Sequence, residues 1–218
     1  MLILYPMIYP FCDIHTHRCS GGLRLRSYSF ADADFETRAL CCPYSVGVHP
    51  WQADDKMVEE WLAALASEPA VAIGEIGLDY ACGVDREVQR SIFVQQLDIA
   101  RSRRLPVVLH VVRAFEPVMD ILKGYSDLPA VVLHGFIGSP QQAASAVRRG
   151  YFLSAGVRSF ASSRTVRAIG SVTSGCLLLE TDDSDDDISR VYACAAEVLG
   201  IPMPDLTRIV FENYKRAI

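Results

Sequence analysis

The tetrapeptide VVLH occurs twice, at 107–110 and 131–134, and each copy closely follows a proline, Pro106 or Pro129. A short apolar run of this kind, bounded by a turn signal, reads as a strand buried on both faces. Between the copies, Val118, Ile121 and Leu122 recur at helical spacing, and Gly124 offers a stop. The 24 residues separating His110 from His134 are therefore one strand–helix unit. The matching letters reflect convergence on buried-strand composition rather than a true internal repeat.

The same rhythm runs along the chain. Apolar runs predict eight strands, at 8–14, 24–30, 44–48, 71–74, 106–110, 130–134, 151–154 and 176–179. Helical periodicity predicts helices over 54–66, 85–103, 113–123, 139–149, 163–169, 186–199 and 204–217; in the second, Val88, Ile92, Leu97 and Ala100 mark one face. Strands alternating with helices make a parallel sheet, and eight of them suggest closure into a (β/α)8 TIM barrel. At 218 residues, half of them apolar, one domain spanning 1–218 is expected. One place breaks the pattern. Only six residues lie between His17 and Arg24, whereas a parallel crossover takes ~10–12 or more. The barrel is expected to be distorted there, with its first crossover helix missing or shortened.

In α/β folds of this kind, functional side chains collect at the carboxyl ends of strands. The predicted strand ends carry His15, His17, His49, Glu75, His110, His134 and Asp182, and these include all five histidines of the chain. A lone histidine at a strand end is more often structural than a ligand. Five of five implies convergence on one site. In the segment DIHTH, at 13–17, the period-two alternation of a strand turns His15 and His17 to the same side. Two imidazoles joined by carboxylates from other strands make a divalent-metal site. Four histidines, a glutamate and an aspartate exceed what one tetrahedral ion needs and suit two ions sharing a carboxylate. The three lysines, Lys56, Lys123 and Lys215, all lie away from strand ends. A carboxylated lysine therefore does not fit as the bridge, and Glu75 is the candidate.

These motifs, DIHTH at 13–17, GVHP at 47–50, GEIGLD at 74–79, PVVLH at 106–110, HGF at 134–136 and ETD at 180–182, resemble the TatD family of metal-dependent hydrolases, in that family's order and across most of the chain. Gln89, Phe93, Gln96 and Leu97 fall where its central helix carries them. The resemblance implies a distorted TIM barrel, two divalent ions (Mg, Mn or Zn) and metal-assisted phosphodiester hydrolysis, with deoxyribonuclease activity in some members. By position, His15, His17, Glu75, His110, His134 and Asp182 would be metal ligands, and His49 would face the substrate. His15, His17 and Asp182 would hold one ion, and His110 and His134 the other, with Glu75 between. Asp182 would then take the proton of the attacking water. Three features depart from the family pattern: Arg18-Cys19 follows the histidine pair, the stretch from His17 to Gly47 is short, and an acidic run, Asp183 to Asp187, follows ETD.

Other residues admit two readings. Arg113, three residues after His110, can meet a phosphate at the barrel mouth or pair with Glu116. His49 can touch substrate or support a ligand, and Asp79 can orient a ligand or a loop. Arg101, Arg103 and Arg104 read as a solvated face at a helix C-terminus, and the acidic run as a helix start capped by Asp185 or Asp186. A net charge of −5 argues against an electrostatic grip on duplex DNA, leaving single-stranded ends or a small molecule as substrate. Seven cysteines without a C-x-x-C pair suggest a reduced, cytoplasmic chain. The apolar N-terminal segment contains two prolines, lacks a basic flank and is too short to span a bilayer. A metal-dependent amidohydrolase or esterase acting on a small molecule would use the same kind of site, and so would a metal-binding protein without turnover.

Overall fold

The structure, a computed structural model, describes residues 9–18, 22–36, 42–172 and 174–218. Eight strands run in sequence order within one sheet: β1 Cys12–Thr16, β2 Leu23–Ser29, β3 Tyr44–Gly47, β4 Ala72–Asp79, β5 Val107–Val112, β6 Val131–Leu133, β7 Phe152–Ala155 and β8 Leu177–Leu179. Each strand pairs in parallel with the next. The circle meets at Thr16 and Asp182, a single parallel bridge beyond the end of β8. There Asp182 N donates to His15 O at 2.9 Å and His17 N donates to Asp182 O at 3.2 Å. The expected TIM barrel is present.

Among the described residues eight helices clothe it: α1 Val58–Leu65, α2 Arg86–Arg103, α3 Phe115–Ile121, α4 Pro140–Arg148, α5 Val157–Phe160, α6 Ser163–Gly170, α7 Ile188–Leu199 and α8 Met203–Ala217. Their limits follow from capping. Asp85 accepts from the amides of Glu87 and Val88 at the start of α2, and Arg104 closes that helix at φ 55°. Ser139 and Gln142 form a capping box before α4, with Pro140 in the first turn. Among the described residues no helix lies between β1 and β2, or between β2 and β3. The first crossover is the short one that the spacing predicts. Among the described residues no helix is long and apolar enough to cross a membrane.

Several expectations need correction. The helix expected from 54 begins at Val58, because the chain turns first: Asp55 accepts from Met57 N through its side chain at 2.8 Å and from Val58 N through its carbonyl at 3.2 Å. Asp187, not Asp185 or Asp186, caps α7 and accepts from Ser189 N at 2.8 Å; Asp185 and Asp186 pair with Arg18 and Arg190. Arg101 and Arg103 are not merely solvated. Arg101 binds Asp127 and Gly124 O, while Arg103 donates to the carbonyls of Leu65 and Glu68. The expected first strand begins at residue 8, outside the described residues, as do Cys19 and Cys41.

β4 differs most from its expected form. It runs on to Asp79, and all eight of its residues are buried. Its register with β5 slips: between paired positions, the two residues Gly74 and Glu75 stand opposite the single residue Val108. Such a bulge bends a strand and re-aims a side chain, and Glu75 lies inside it. β1 carries the same irregularity between Asp13 and Thr16, around His15. The glycines of GEIG make the first bulge possible. Gly77 sits at φ 144°, and a Cβ there would come within 2.1 Å of His110 O.

Candidate metal centre

Two bulges and four strand ends bring one cluster together. β1 supplies His15 and, one residue beyond its end, His17; β4 supplies Glu75; β5 supplies His110. His134 directly follows β6, and Asp182 sits at the closing bridge. His15 is fully buried, and Glu75 is 8% exposed.

Glu75 divides the cluster. Its Oε2 lies 3.3 Å from His15 Nε2 and 3.9 Å from His17 Nε2. Its Oε1 lies 2.5 Å from His110 Nδ1 and 2.6 Å from His134 Nε2. Asp182 Oδ1 is 3.6 Å from Nε2 of both His15 and His17. The six residues predicted as ligands thus fall into overlapping groups of three that could hold a metal ion, His15 with Glu75 and His134, His15 with His17 and Asp182, and, joined by His49 or Glu180, Glu75 with His110 and His134 with Asp182.

His49 also faces the cluster, with Nε2 at 3.4 Å from Glu75 Oε1 and 3.3 Å from His110 Nδ1. Its Nδ1 accepts from Trp51 N at 3.2 Å. A neutral ring that accepts through Nδ1 carries its proton on Nε2, so in this tautomer Nε2 is a donor and not a ligand. Arg113 does not enter the cluster. It lines a neighbouring pocket with Glu116, Gln142 and Arg164, which meets the cleft at His134.

Buried carboxylates stand behind two of the histidines. Asp79 Oδ2 is 3.2 Å from His110 Nε2 and accepts from Trp51 Nε1 at 2.6 Å. Glu180 Oε1 is 3.5 Å from His134 Nδ1 and accepts from Gly135 N at 2.7 Å. Asp13 binds Thr181 through both its oxygens. Carboxylates in these places orient imidazoles and raise their basicity.

Two glutamines on α2 hold the backbone beneath the cluster. Gln89 accepts from Asp79 N at 2.8 Å and donates to Asp79 O at 2.9 Å. Gln96 does the same for Val48, at 2.7 and 3.0 Å. Both are 1% exposed, and they stand seven residues apart on one helix face.

The charges lean on one another. Burial alone would raise Glu75, but His134, His110 and His15 hold it well below the usual carboxylate range. Burial and His134 pull His15 down, yet Asp182 and Glu75 outweigh them and lift it to about 9. His134 is lifted well above its ordinary value because Glu75 and Glu180 overcome its burial. Asp182, despite its burial, is held at about 2 by His15. Desolvation and the neighbouring His15 keep His17 low.

The donor set fits divalent ions. Both ring nitrogens of buried His15 lack a partner with hydrogen-bond geometry among the described residues. Imidazole nitrogens mixed with carboxylate oxygens are the usual ligands of Zn²⁺ and Mn²⁺. Among the described residues Cys12 lies nearest the histidine pair in sequence, and burial pushes its thiol up to about 12.

Two side chains at the mouth escape the sequence reading. Trp51 follows the GVHP motif directly and lines the cleft. Arg158, in α5 just after β7, pairs with Asp183 at 2.8 Å and lies 3.8 Å from Asp182 Oδ2. The strand-end rule that selects the histidines also points to Arg158, once the short helix after β7 is recognised.

Comparison with known proteins agrees with this geometry. The family model described as TatD related DNase matches residues 36–218. The uncharacterized metal-dependent hydrolase YjjV of Escherichia coli is 33% identical over 192 residues, 78% of this chain and 73% of its own length. The 3'-5' ssDNA/RNA exonuclease TatD of E. coli is 38% identical over 120 residues, but this match covers only 51% of the chain and 45% of that relative. Among solved structures, the E. coli YJJV TatD homolog superposes with a TM-score of 0.82 at 26% identity, covering 95% of this chain and 97% of that one. An uncharacterized amidohydrolase from Saccharomyces cerevisiae shares the fold, at TM-score 0.77 and 14% identity over 96% of this chain and 100% of that one. Sequence, barrel and family model agree that this chain belongs to the TatD family of metal-dependent hydrolases.

Proposed function

We propose that the chain is a binuclear metal-dependent phosphodiesterase, a deoxyribonuclease acting on single-stranded ends in a cytoplasmic setting, built as one barrel domain. The observation that carries this reading is the division of Glu75: one carboxylate oxygen faces His15 and His17, the other His110 and His134. In this reading His15, His17 and Asp182 hold one divalent ion, His110 and His134 hold the other, and Glu75 serves both. Such ions, when bound, make water acidic enough to attack near neutral pH and take up charge developing on a phosphoryl oxygen.

The chain's own groups do the rest. Asp182, ionised at neutral pH, accepts the proton of the attacking water. His49 donates from Nε2 toward a phosphoryl oxygen in the cleft. Arg158 at the mouth and Arg113 in the adjoining pocket offer guanidinium groups to flanking phosphates. The net charge of −5 keeps any nucleic-acid contact local and disfavours a stable grip on duplex.

The test is hydrolysis by metal-reconstituted protein, with Mg²⁺, Mn²⁺ or Zn²⁺, of a single-stranded oligonucleotide, its duplex and a panel of small esters, lactones and amides. Cleavage of the single strand, with metal analysis giving two ions per chain, supports the reading. Turnover confined to the small-molecule panel would replace it with the amidohydrolase or esterase alternative.

A further inference from the structure

Trp51 lines the mouth, and the proposed chemistry gives it no part. It is 62% exposed, yet it lines the same cleft as Glu75, His110 and Asp182. An indole is large and apolar and tends to be well buried, so one left in water beside a polar cluster calls for a reason. Looseness is not the reason. Nε1 donates to buried Asp79 at 2.6 Å, the backbone sits in the 3-10 turn Pro50–Gln52, and its amide is held by His49 Nδ1. The neighbouring rings stand nearly upright to the indole, His49 at 83° with centroids 4.8 Å apart and His110 at 75° with centroids 6.2 Å apart. Among the described residues no ring stacks face to face on it.

We infer that Trp51 is a stacking platform for the nucleobase next to the bond that is cut. The inference rests on the phosphodiester reading and narrows it to a substrate with an unstacked base beside the scissile phosphate. One sugar separates base from phosphate in a nucleotide, and the indole stands one ring away from the cluster, beside His49 and His110. A rigid indole held by its edge can receive any base, because every base has a π face; little preference among the four follows.

The chain has two tryptophans, Trp51 and Trp61, so Trp61→Phe leaves Trp51 as the only indole emitter. This variant is titrated with deoxyadenosine 5'-monophosphate and, separately, with deoxyribose 5-phosphate. The nucleotide is expected to quench Trp51 saturably, and the base-free sugar phosphate is not. If Trp61→Phe disturbs folding, the quenching lost between wild type and Trp51→Phe carries the same information. By calorimetry, Trp51→Ala weakens nucleotide binding about 5- to 150-fold, whereas Trp51→Phe stays within a few-fold of wild type. On an oligonucleotide the loss in Trp51→Ala appears in KM, with kcat within a few-fold. Equal quenching by the sugar phosphate would overturn the platform. So would a Trp51→Phe variant as impaired as Trp51→Ala, since the hydrogen bond to Asp79 would then be what matters. Base-dependent quenching in a protein that cleaves no phosphodiester would sink the reaction and keep the platform; cleavage without such quenching would do the reverse.

Discussion

The two sides of Glu75 are built differently. His110 and His134 rise from adjacent strands in unbroken pairing, and each has a buried carboxylate behind it, Asp79 or Glu180. His15, His17 and Asp182 stand instead where the barrel closes on a single bridge. His17 has a side chain 40% exposed, against 7% for His134. Asp182 adopts φ 56°, a left-handed conformation that aspartate tolerates better than most residues. A continuous ladder fixes its ligands in advance. A seam leaves them adjustable. An ion on the β5–β6 side should therefore bind more tightly, and one at the seam should exchange more readily and sit where the chemistry needs an adaptable ligand.

The largest expected effect erases the contrast. Glu75→Ala removes the one group common to both sides, so both ions weaken and turnover falls by about 10⁴-fold or more. Metal analysis of the reconstituted variant checks this, and a full complement of tightly bound metal would break the binuclear picture.

Asp182→Asn sharpens the contrast. It strips a charge from the seam alone, so the ion on the β5–β6 side should stay while turnover drops by ~10²–10⁴-fold. Asp183→Asn, whose carboxylate meets Arg158 outside the cluster, should remain near wild type. If the second variant is dead and the first active, the proton acceptor has been assigned to the wrong aspartate.

Asp79→Asn and Glu180→Gln probe the support that the seam lacks. Each should lower metal affinity on the β5–β6 side by about 10–100-fold and leave the seam ion nearly unchanged. Competition with a chromophoric chelator would resolve the two sites, and equal loss at both would mean that the sides act as one unit.

The smallest effect is on stability. His15 is lifted to about 9 from an ordinary 6.5. Its contribution is present in full below pH 6.5 and lost as pH rises through about 9. Asp182, held at about 2 against an ordinary 3.8, contributes above pH 3.8 and loses that contribution as pH falls through about 2. Chelator-treated protein should therefore lose a few degrees of Tm between pH 6.5 and 9, whereas metal-loaded protein should not, since bound cations displace those protons. A flat Tm in chelator across that interval would remove the electrostatic coupling from the account.

Most of the barrel is legible in the sequence because buried parallel strands are short apolar runs, and the ligands stand out because polar residues seldom end such runs. Glu75 is recognisable as a strand-end carboxylate, yet it lies within β4, because nothing in hydrophobic periodicity records a bulge. Gly74 and Gly77 are the traces of that bulge in the letters, and their meaning depends on Val108 and His110 of β5, against which a Cβ at either would collide. Trp51 and Arg158 are silent in the sequence for a different reason. Each belongs to a short turn or helix just past a strand end, where three or four residues carry too little pattern to read.

Gln89 and Gln96 make α2 something like a ruler. Two amides, spaced by about two helical turns, read off the heights of two neighbouring strand ends and hold His49 and Asp79 in a common frame. Substitutions on the outer face of that helix leave the spacing untouched, so drift there should be cheap. An insertion or deletion of one residue between 89 and 96 is another matter. It would turn one amide by about 100° relative to the other, and no single compensating mutation could restore both readings. A regular helix that contributes no ligand at all is thus intolerant of a change in its length.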